Sequence, residues 1–363
     1  MSVRLPGKRF QRIKQNREGN PLPVDRLKEG NQLRVLILTS PKAGSGRGRD
    51  EVPKLVERLN SLRVSCSMID SIDEMRAQLS NHTGFTQTIV VAAGGDGTLS
   101  LAASLILESE GKEASRHPSE LTCESEDLAK GLAEGSSASE EAAVEPASAS
   151  NTLLLPMPLG TENLVAQEYR HGYHVDEVLA ALRSGSVQET DIGECRERVF
   201  LIMASAGFDA EVIRWLHLTR RGHISRLTYL LPILRSLVSY RFPPLRVEVD
   251  GQPMESCAWA MAFNLSRYGG GLGIEPDADG ADGLLDVILF RKAGIWNGLR
   301  YVWKIARRRH LTDPSVIRLR GKSVRIESED RVPLQIDGDL NGQLPVQLSV
   351  VPQAISLLLP SKS

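Results

Sequence analysis

A chain of 363 residues is long enough for two domains, and its 41% apolar and 25% charged content is that of an ordinary folded protein. Its formal net charge of −1 gives no overall field for nucleic acid, and no apolar run is long enough to span a bilayer. Four cysteines, Cys66, Cys123, Cys195 and Cys257, stand far apart with no CxxC pair, which argues against a zinc ribbon or disulfide scaffold and predicts a cytoplasmic setting.

Residues 1–32 carry Arg4, Lys8, Arg9, Arg12, Lys14 and Arg17 with little apolar content, and read as a solvated, disordered tail. They lack the apolar stretch of a secretion signal. Contact of these basic residues with acidic headgroups at the inner membrane face is a second reading. Leu33–Leu38 predicts the first strand, which runs into a glycine-rich loop over Thr39–Gly48 and a helix through Val52–Leu62. That loop is neither a Walker A loop nor a dinucleotide fingerprint. A strand over Arg63–Ile69, a helix over Ile72–Leu79 and a strand at Ile89 follow. Their alternation predicts a parallel sheet with right-handed crossovers and ligand loops at its carboxyl edge.

The apolar run from Thr88 ends in Gly94-Gly95-Asp96-Gly97-Thr98 and continues as a helix from Leu99. Glycines there allow a sharp turn and close backbone approach, and the helix N-terminus offers free N–H groups suited to phosphate. A carboxylate in such a cradle is repelled unless a cation intervenes, so Asp96 reads as facing Mg²⁺. The same residues also fit a structural turn with Thr98 as N-cap.

Residues 108–150 are rich in Ser, Ala, Glu and Gly and read as a disordered acidic insertion. A short strand from Asn151 to Pro156 leads to small and polar residues at Gly160, Thr161 and Asn163. A helix over Val175–Leu182 ends at Gly185, closing a first domain over 33–185.

Residues 186–345 read as a second, β-rich domain, followed by a C-terminal segment over 346–363. Its candidate strands are Val199–Ala204, Leu245–Val249, Ala258–Asn264, Leu285–Phe290, Ser323–Ser328, Leu334–Asp337 and Val346–Val351, several punctuated by Asp-Gly turns. One helix, Ile224–Tyr240, places Leu227, Leu230, Leu231, Leu234 and Leu237 on one face and holds a kinking Pro232. Another, Ile295–Arg309, sets Trp296, Leu299, Trp303 and Ala306 against Arg300, Lys304, Arg307 and Arg308. That pattern fits a helix lying on an anionic membrane and equally one packed on a sheet.

With these residues in view, the chain from Leu33 to Pro360 resembles the diacylglycerol kinase and sphingosine kinase superfamily of lipid kinases. Gly94 to Thr98 is identical to that family's nucleotide signature. Ser40-Pro41-Lys42-Ala43-Gly44 resembles its first loop, with Ser40 in place of the usual Asn. Gly160-Thr161-Glu162-Asn163 resembles its third loop, and Ala206-Gly207-Phe208-Asp209-Ala210 the start of its β-rich domain. Asn264, Gly269–Gly271, Pro276, Ala278 and Asp282-Gly283-Leu284-Leu285-Asp286 match the segment after it. Asp337-Gly338-Asp339 resembles its closing Asp-Gly-Glu.

The resemblance implies an α/β nucleotide-binding domain with a parallel sheet, a second β-sandwich domain with helices, an active site in the interdomain cleft, and a return of the C-terminal segment 346–363 toward the first domain. It implies ATP and Mg²⁺ as cofactors and a lipid substrate met at a membrane surface. Ser40–Gly44, Gly94–Thr98, Thr161 and Asn163 would line the nucleotide site. Asp96, Asp191 and Asp339 would hold Mg²⁺ through water, and Asp337, with Asp339, would accept the proton of the lipid hydroxyl. Asp279, Asp282 and Leu284 correspond to a second, structural metal position, although Asp-Gly pairs also serve as plain hairpin turns. Besides Ser40, four positions depart from the family: Leu164 stands where bacterial diacylglycerol kinases have Asp, Ser100-Leu101 replaces Asn-Glu, and Asp339 replaces Glu. An NAD kinase-like enzyme, which shares the Gly-Gly-Asp-Gly-Thr signature, and a non-catalytic nucleotide- or lipid-binding homologue are the alternatives.

Overall fold

The computed structural model of the protein describes residues 33–39, 50–81, 84–111, 151–219 and 230–360. The expected basic tail, the first glycine loop and all but the first four residues of the expected insertion lie outside the described residues. The first half runs β1 (Leu33–Thr39), α1 (Glu51–Ser61), β2 (Ser65–Ile69), α2 (Ile72–Ser80), β3 (Gln87–Gly94), α3 (Asp96–Ser109), β4 (Thr152–Pro158), α4 (Leu164–Tyr169) and α5 (Val175–Ser184). The second opens with β5 (Ser186–Cys195), β6 (Arg198–Phe200), β7 (Met203–Gly207), α6 (Phe208–Thr219) and α7 (Leu230–Ser239). It continues with β8 (Arg246–Val249), β9 (Gln252–Pro253), β10 (Trp259–Phe263), β11 (Leu285–Phe290) and α8 (Ile295–Ala306). The last strands are β12 (Val316–Gly321), β13 (Ser323–Glu327), β14 (Pro333–Ile336), β15 (Asp339–Gln343) and β16 (Val346–Leu359).

Buried, β-branched β1 and β3 pair in parallel, with β2 beyond β1 and β4 beyond β3. β3 and β4 are almost wholly buried because helices cover both faces, whereas β2, at the edge, is partly exposed. On one face Leu55, Leu59, Val178 and Leu179 of α1 and α5 pack under Val35, Val91 and Leu155. On the other lie Leu99, Ala102, Ala103 and Ile106 of α3. The sheet does not end at β4. The carboxyl half of β16 joins it in parallel, while the amino half of the same strand pairs antiparallel with β13 and most of its length with β5.

A second sheet, ordered β12-β11-β10-β7-β14-β15, is antiparallel throughout. Alternate residues of its strands (Ala204 and Ala206, Ala260 and Ala262, Val287 and Leu289, Leu334 and Ile336) meet Val247, Val249, Val324, Ile326 and Leu348 of the first sheet. That is the period-two pattern of a sandwich core. Its outer face carries Met261, Phe263, Ile288 and Phe290, packed with Phe208, Val212, Leu237, Tyr301 and Ile305 of α6, α7 and α8. The fold is thus the expected parallel α/β sheet joined to a β-sandwich with helices.

Several elements differ from expectation. The strand expected over Val199–Ala204 is two strands, because the N–H groups of Leu201 and Ile202 turn to a side chain instead of a ladder. Asp337, expected inside a strand, follows β14 in a left-handed turn at φ 48°. Residues 224–229 of the expected helix, Leu227 among them, lie outside the described residues; α7 is described from Leu230 on, with Pro232 buried in it. Leu237 is buried, but Leu230, Leu231 and Leu234 are exposed. In α8 the packed stripe is Gly298, Tyr301 and Ile305 rather than the tryptophan side. Gly298 decides this, since a Cβ there would stand 2.6 Å from Leu237 Cδ2 of α7.

Candidate active site

The glycine turn after β3 is built against the turn after β4. The Gly94 carbonyl accepts from Leu159 N at 2.8 Å and Gly160 N at 3.2 Å. A Cβ on Gly160 would lie 2.5 Å from Gly95 Cα, so the two turns cross backbone to backbone. Gly95, extended, is the N-cap of α3, and Asp96 is its first residue. Thr98 is therefore inside the first turn rather than the N-cap, and its side chain covers Gly94. Gly97 is exposed, with open space where a Cβ would point.

In the facing turn Asn163, left-handed at φ 50°, accepts from Gly160 N at 3.0 Å through Oδ1. Its Nδ2 donates to Gly160 O at 2.9 Å. Thr161 is exposed at the tip. A small crevice lies where the turns meet, lined by Gly94, Gly95, Asp96, Leu99, Pro158 and Asn163 among others. Ser40, Pro41, Lys42, Ala43 and Gly44 lie outside the described residues.

Asp96 caps a neighbouring helix. Its Oδ2 accepts from Leu164 N at 2.9 Å and its Oδ1 from Val165 N at 3.1 Å, the first two N–H groups of α4. Burial raises this carboxyl above its ordinary range, and the two amide donors pull it back. The residue standing in place of the family's Asp, Leu164, contributes its backbone to this cap and its side chain to the apolar core.

Asp337 is the most heavily bonded carboxylate of the site. Oδ1 accepts from Ile202 N and Met203 N, both at 2.9 Å. Oδ2 accepts from Leu201 N at 2.9 Å and from the hydroxyl of Ser100 at 3.0 Å. Burial pushes its carboxyl up to about 6 against the pull of these donors. Ser100 lies one turn along α3 from Asp96, about 6 Å by helical rise and on the same face. Both carboxylates therefore meet one helix, and Asp337 reaches it from the second sheet.

Around this seam stand residues that the sequence did not single out as a site. Gln335 Oε1 accepts from Gly338 N at 2.8 Å, holding the turn that carries Asp337. Gln335 Nε2 donates to Ser205 Oγ at 2.9 Å and Asp209 Oδ2 at 3.0 Å. Ser205 Oγ donates to the same Asp209 oxygen at 2.5 Å, and the Tyr268 hydroxyl donates to Oδ1. Asp209 is buried, which raises its carboxyl. His217 of α6 places Nε2 3.2 Å from Gly338 O and 3.8 Å from Asp339 Oδ1. A polar Gln335 in the otherwise apolar strand β14 was the one signal of this network in the sequence.

The expected acidic metal set is not assembled. Asp191 accepts from Gly283 N at 2.6 Å and Gln353 N at 2.8 Å, tying β5 to the Asp282 loop and to β16. Burial raises its carboxyl as well. Asp339 is exposed beside His217. In the second-domain position Asp282 accepts from Leu284 N at 3.1 Å and pairs with Arg320, while Asp279 is exposed. Among the described residues no group of three or more His, Cys, Asp or Glu side chains is placed to hold a metal ion. The physical reason is that Asp96, Asp191 and Asp282 are each satisfied by backbone N–H groups or an arginine.

The family model of the diacylglycerol kinase catalytic domain matches residues 34–195, and that of the YegS C-terminal NAD kinase beta sandwich-like domain matches 202–359. A diacylglycerol kinase of Mycobacterium tuberculosis is 30% identical over 220 residues, covering 56% of this chain and 68% of that protein. One of Staphylococcus aureus is 22% identical over 338 residues, covering 90% and 93%. A crystal structure of a diacylglycerol kinase from Bacillus anthracis superposes with a TM-score of 0.61 at 18% identity, over 90% of this chain and 97% of that one.

Proposed function

Given that this chain belongs to the diacylglycerol kinase family of lipid kinases, we propose that it transfers the γ-phosphate of ATP to a hydroxyl of diacylglycerol or a related lipid alcohol. Asp337 is the proton acceptor in this reading. The observation that carries it is the Ser100–Asp337 hydrogen bond, which brings a carboxylate of the second sheet to the helix that begins at the Gly-Gly-Asp-Gly-Thr turn. The crossed glycine turns, open at Gly97, are the place for the phosphates, with the first N–H groups of α3 as donors.

An alcohol is too weak an acid to ionise at neutral pH, so a base must take its proton as the new P–O bond forms. A carboxylate offers about four acceptor positions, and all four on Asp337 meet a donor. Three of these donors are backbone N–H groups fixed between β6 and β7. The fourth, the Ser100 hydroxyl, rotates freely about its C–O bond. The lipid hydroxyl takes the place of Ser100 on Oδ2, and its proton passes there while the β6–β7 amides hold the carboxylate still.

Magnesium is part of the proposal as the ion that neutralises phosphate charge. The described side chains form no cage that fits it, so its ligands would be chiefly phosphate and water.

The test is transfer of labelled phosphate from ATP, with and without Mg²⁺, to diacylglycerol, a sphingoid base and NAD in parallel. Label in diacylglycerol with Mg²⁺ present is the expected result. Label in NAD alone, or nucleotide binding without transfer, contradicts the proposal.

A further inference from the structure

Two neighbouring helices turn apolar stripes to solvent at the same spacing. On α7 these are Leu230, Leu231, Leu234 and Val238, at 53, 64, 47 and 77% exposure. On α8 they are Ile295, Trp296, Leu299 and Trp303, at 38, 81, 37 and 51%. Each set follows i, i+1, i+4, i+8, which lies on one helical face. The helices pack together where Gly298 admits Leu237 and Phe242, and the packed stripe of α8, Gly298, Tyr301 and Ile305, is separate from its tryptophans. Leu218, 66% exposed, extends the apolar surface onto α6, one residue past His217. α6, which packs on α7, also carries His217, whose Nε2 lies 3.2 Å from Gly338 O at the rim of the candidate active site.

Scattered exposed apolar residues need no explanation, but eight on two touching helices are a patch of the kind that marks an interaction surface. Charge identifies the partner. From Leu230 to Val247 and from Val287 to Thr312 the sequence holds no Asp or Glu, in a chain whose net charge is −1. The same segments carry Arg235, Arg241, Arg291, Lys292, Arg307, Arg308 and Arg309 at the surface. Arg307 lies over the Trp303 ring at 4.1 Å, joining the cationic and aromatic groups.

Exposed tryptophans beside arginines suit the boundary between acyl chains and headgroups. Two acids that meet these segments are paired: the buried Asp313 with Arg300 and Lys304, and Glu255 with Arg291. A second copy of this chain would bring its own cations against these, a repulsion that an anionic bilayer does not present.

We propose that the outer faces of α7 and α8 seat the protein on an anionic lipid bilayer, with Trp296 and Trp303 inserted at headgroup depth. The proposal rests on the lipid-kinase assignment only for why a bilayer is relevant. Docking there brings the His217–Gly338 rim to the membrane, so a lipid hydroxyl reaches Asp337 without its chains leaving an apolar medium.

The full chain is floated with vesicles of phosphatidylcholine alone or with a third phosphatidylglycerol. Binding to the anionic vesicles and weak binding to the neutral ones are expected. The double variant Trp296→Ser, Trp303→Ser should lose at least tenfold in partitioning. Arg308→Glu with Arg309→Glu should lose more than tenfold at low salt, since each cation near the surface is worth about fivefold. Both variants alter exposed side chains, and unchanged melting temperatures and unchanged turnover on detergent-dispersed substrate establish that they remain folded.

Equal binding to both vesicle types, or full binding by the tryptophan variant, overturns the proposal. So does a wild-type dimer that the tryptophan variant converts to monomer with vesicle binding intact. Because binding is read without turnover, vesicle binding with no phosphate transfer would overturn the kinase reading and leave the docking face standing.

Discussion

At Asp337, three fixed amides and one rotating hydroxyl converge on a single carboxylate. If this group takes the substrate proton, turnover needs its ionised form. Activity should fall as pH drops through about 6 and level off above it, read as kcat/KM against pH, which reports the free enzyme with Ser100 still on Asp337. Ser100 donates to the ionised form and so lowers the carboxyl. Ser100→Ala removes that donor and should move the acid limb of the profile to higher pH, by about one unit for a charge-assisted bond. An unmoved limb would mean that the group seen in the profile is not Asp337. In the sequence Asp96 was marked by its glycine cradle, and Asp337 only by its resemblance to the family's closing motif, since an Asp-Gly pair alone also fits a hairpin turn. Asp209 and Gln335 were hidden as partners because their contacts join β7, α6, Tyr268 and β14, positions that no local pattern links.

Among the elements, the crossing of the β3–α3 and β4–α4 turns is where close approach matters most. Gly160→Ala should separate them, destabilising the fold by about 1–3 kcal/mol and lowering turnover by about 10²-fold. Gly97→Ala meets nothing within 4 Å, so its melting temperature should match the wild type. A loss of ATP binding in that variant would then report a ligand passing close to the backbone, measured by calorimetric titration. The parallel strands and the helices between them were legible from apolar runs and glycine loops. The packed face of α8 was not, because a glycine decides it and carries no hydrophobic signal. The split of β6 from β7 was equally invisible, since its cause is a carboxylate 134–136 residues away.

For the molecule as a whole, β16 carries the parallel sheet into the sandwich, and Asp191 locks it by accepting from Gln353 N and Gly283 N. Asp191→Ala removes the shared acceptor of two part-buried N–H groups, at about 0.5–1.5 kcal/mol each. Denaturant unfolding should show that loss, while turnover per folded molecule stays near wild type. A metal ligand would give the opposite pattern, activity lost with stability kept. The sequence signalled a returning C-terminal segment through the family's layout, but the length of β16 and its three partners follow only from the tertiary fold.

The most direct measurement is phosphate transfer from ATP to diacylglycerol by Asp337→Asn, a substitution that keeps the shape and removes the base. Transfer should fall by about 10²–10⁴-fold with ATP affinity near that of the wild type, while the melting temperature drops because the Asn amide sets an N–H against a backbone donor of the β6–β7 turn. Activity within a few fold of wild type, in a folded variant, would contradict the assignment of Asp337 as proton acceptor at the α3 seam.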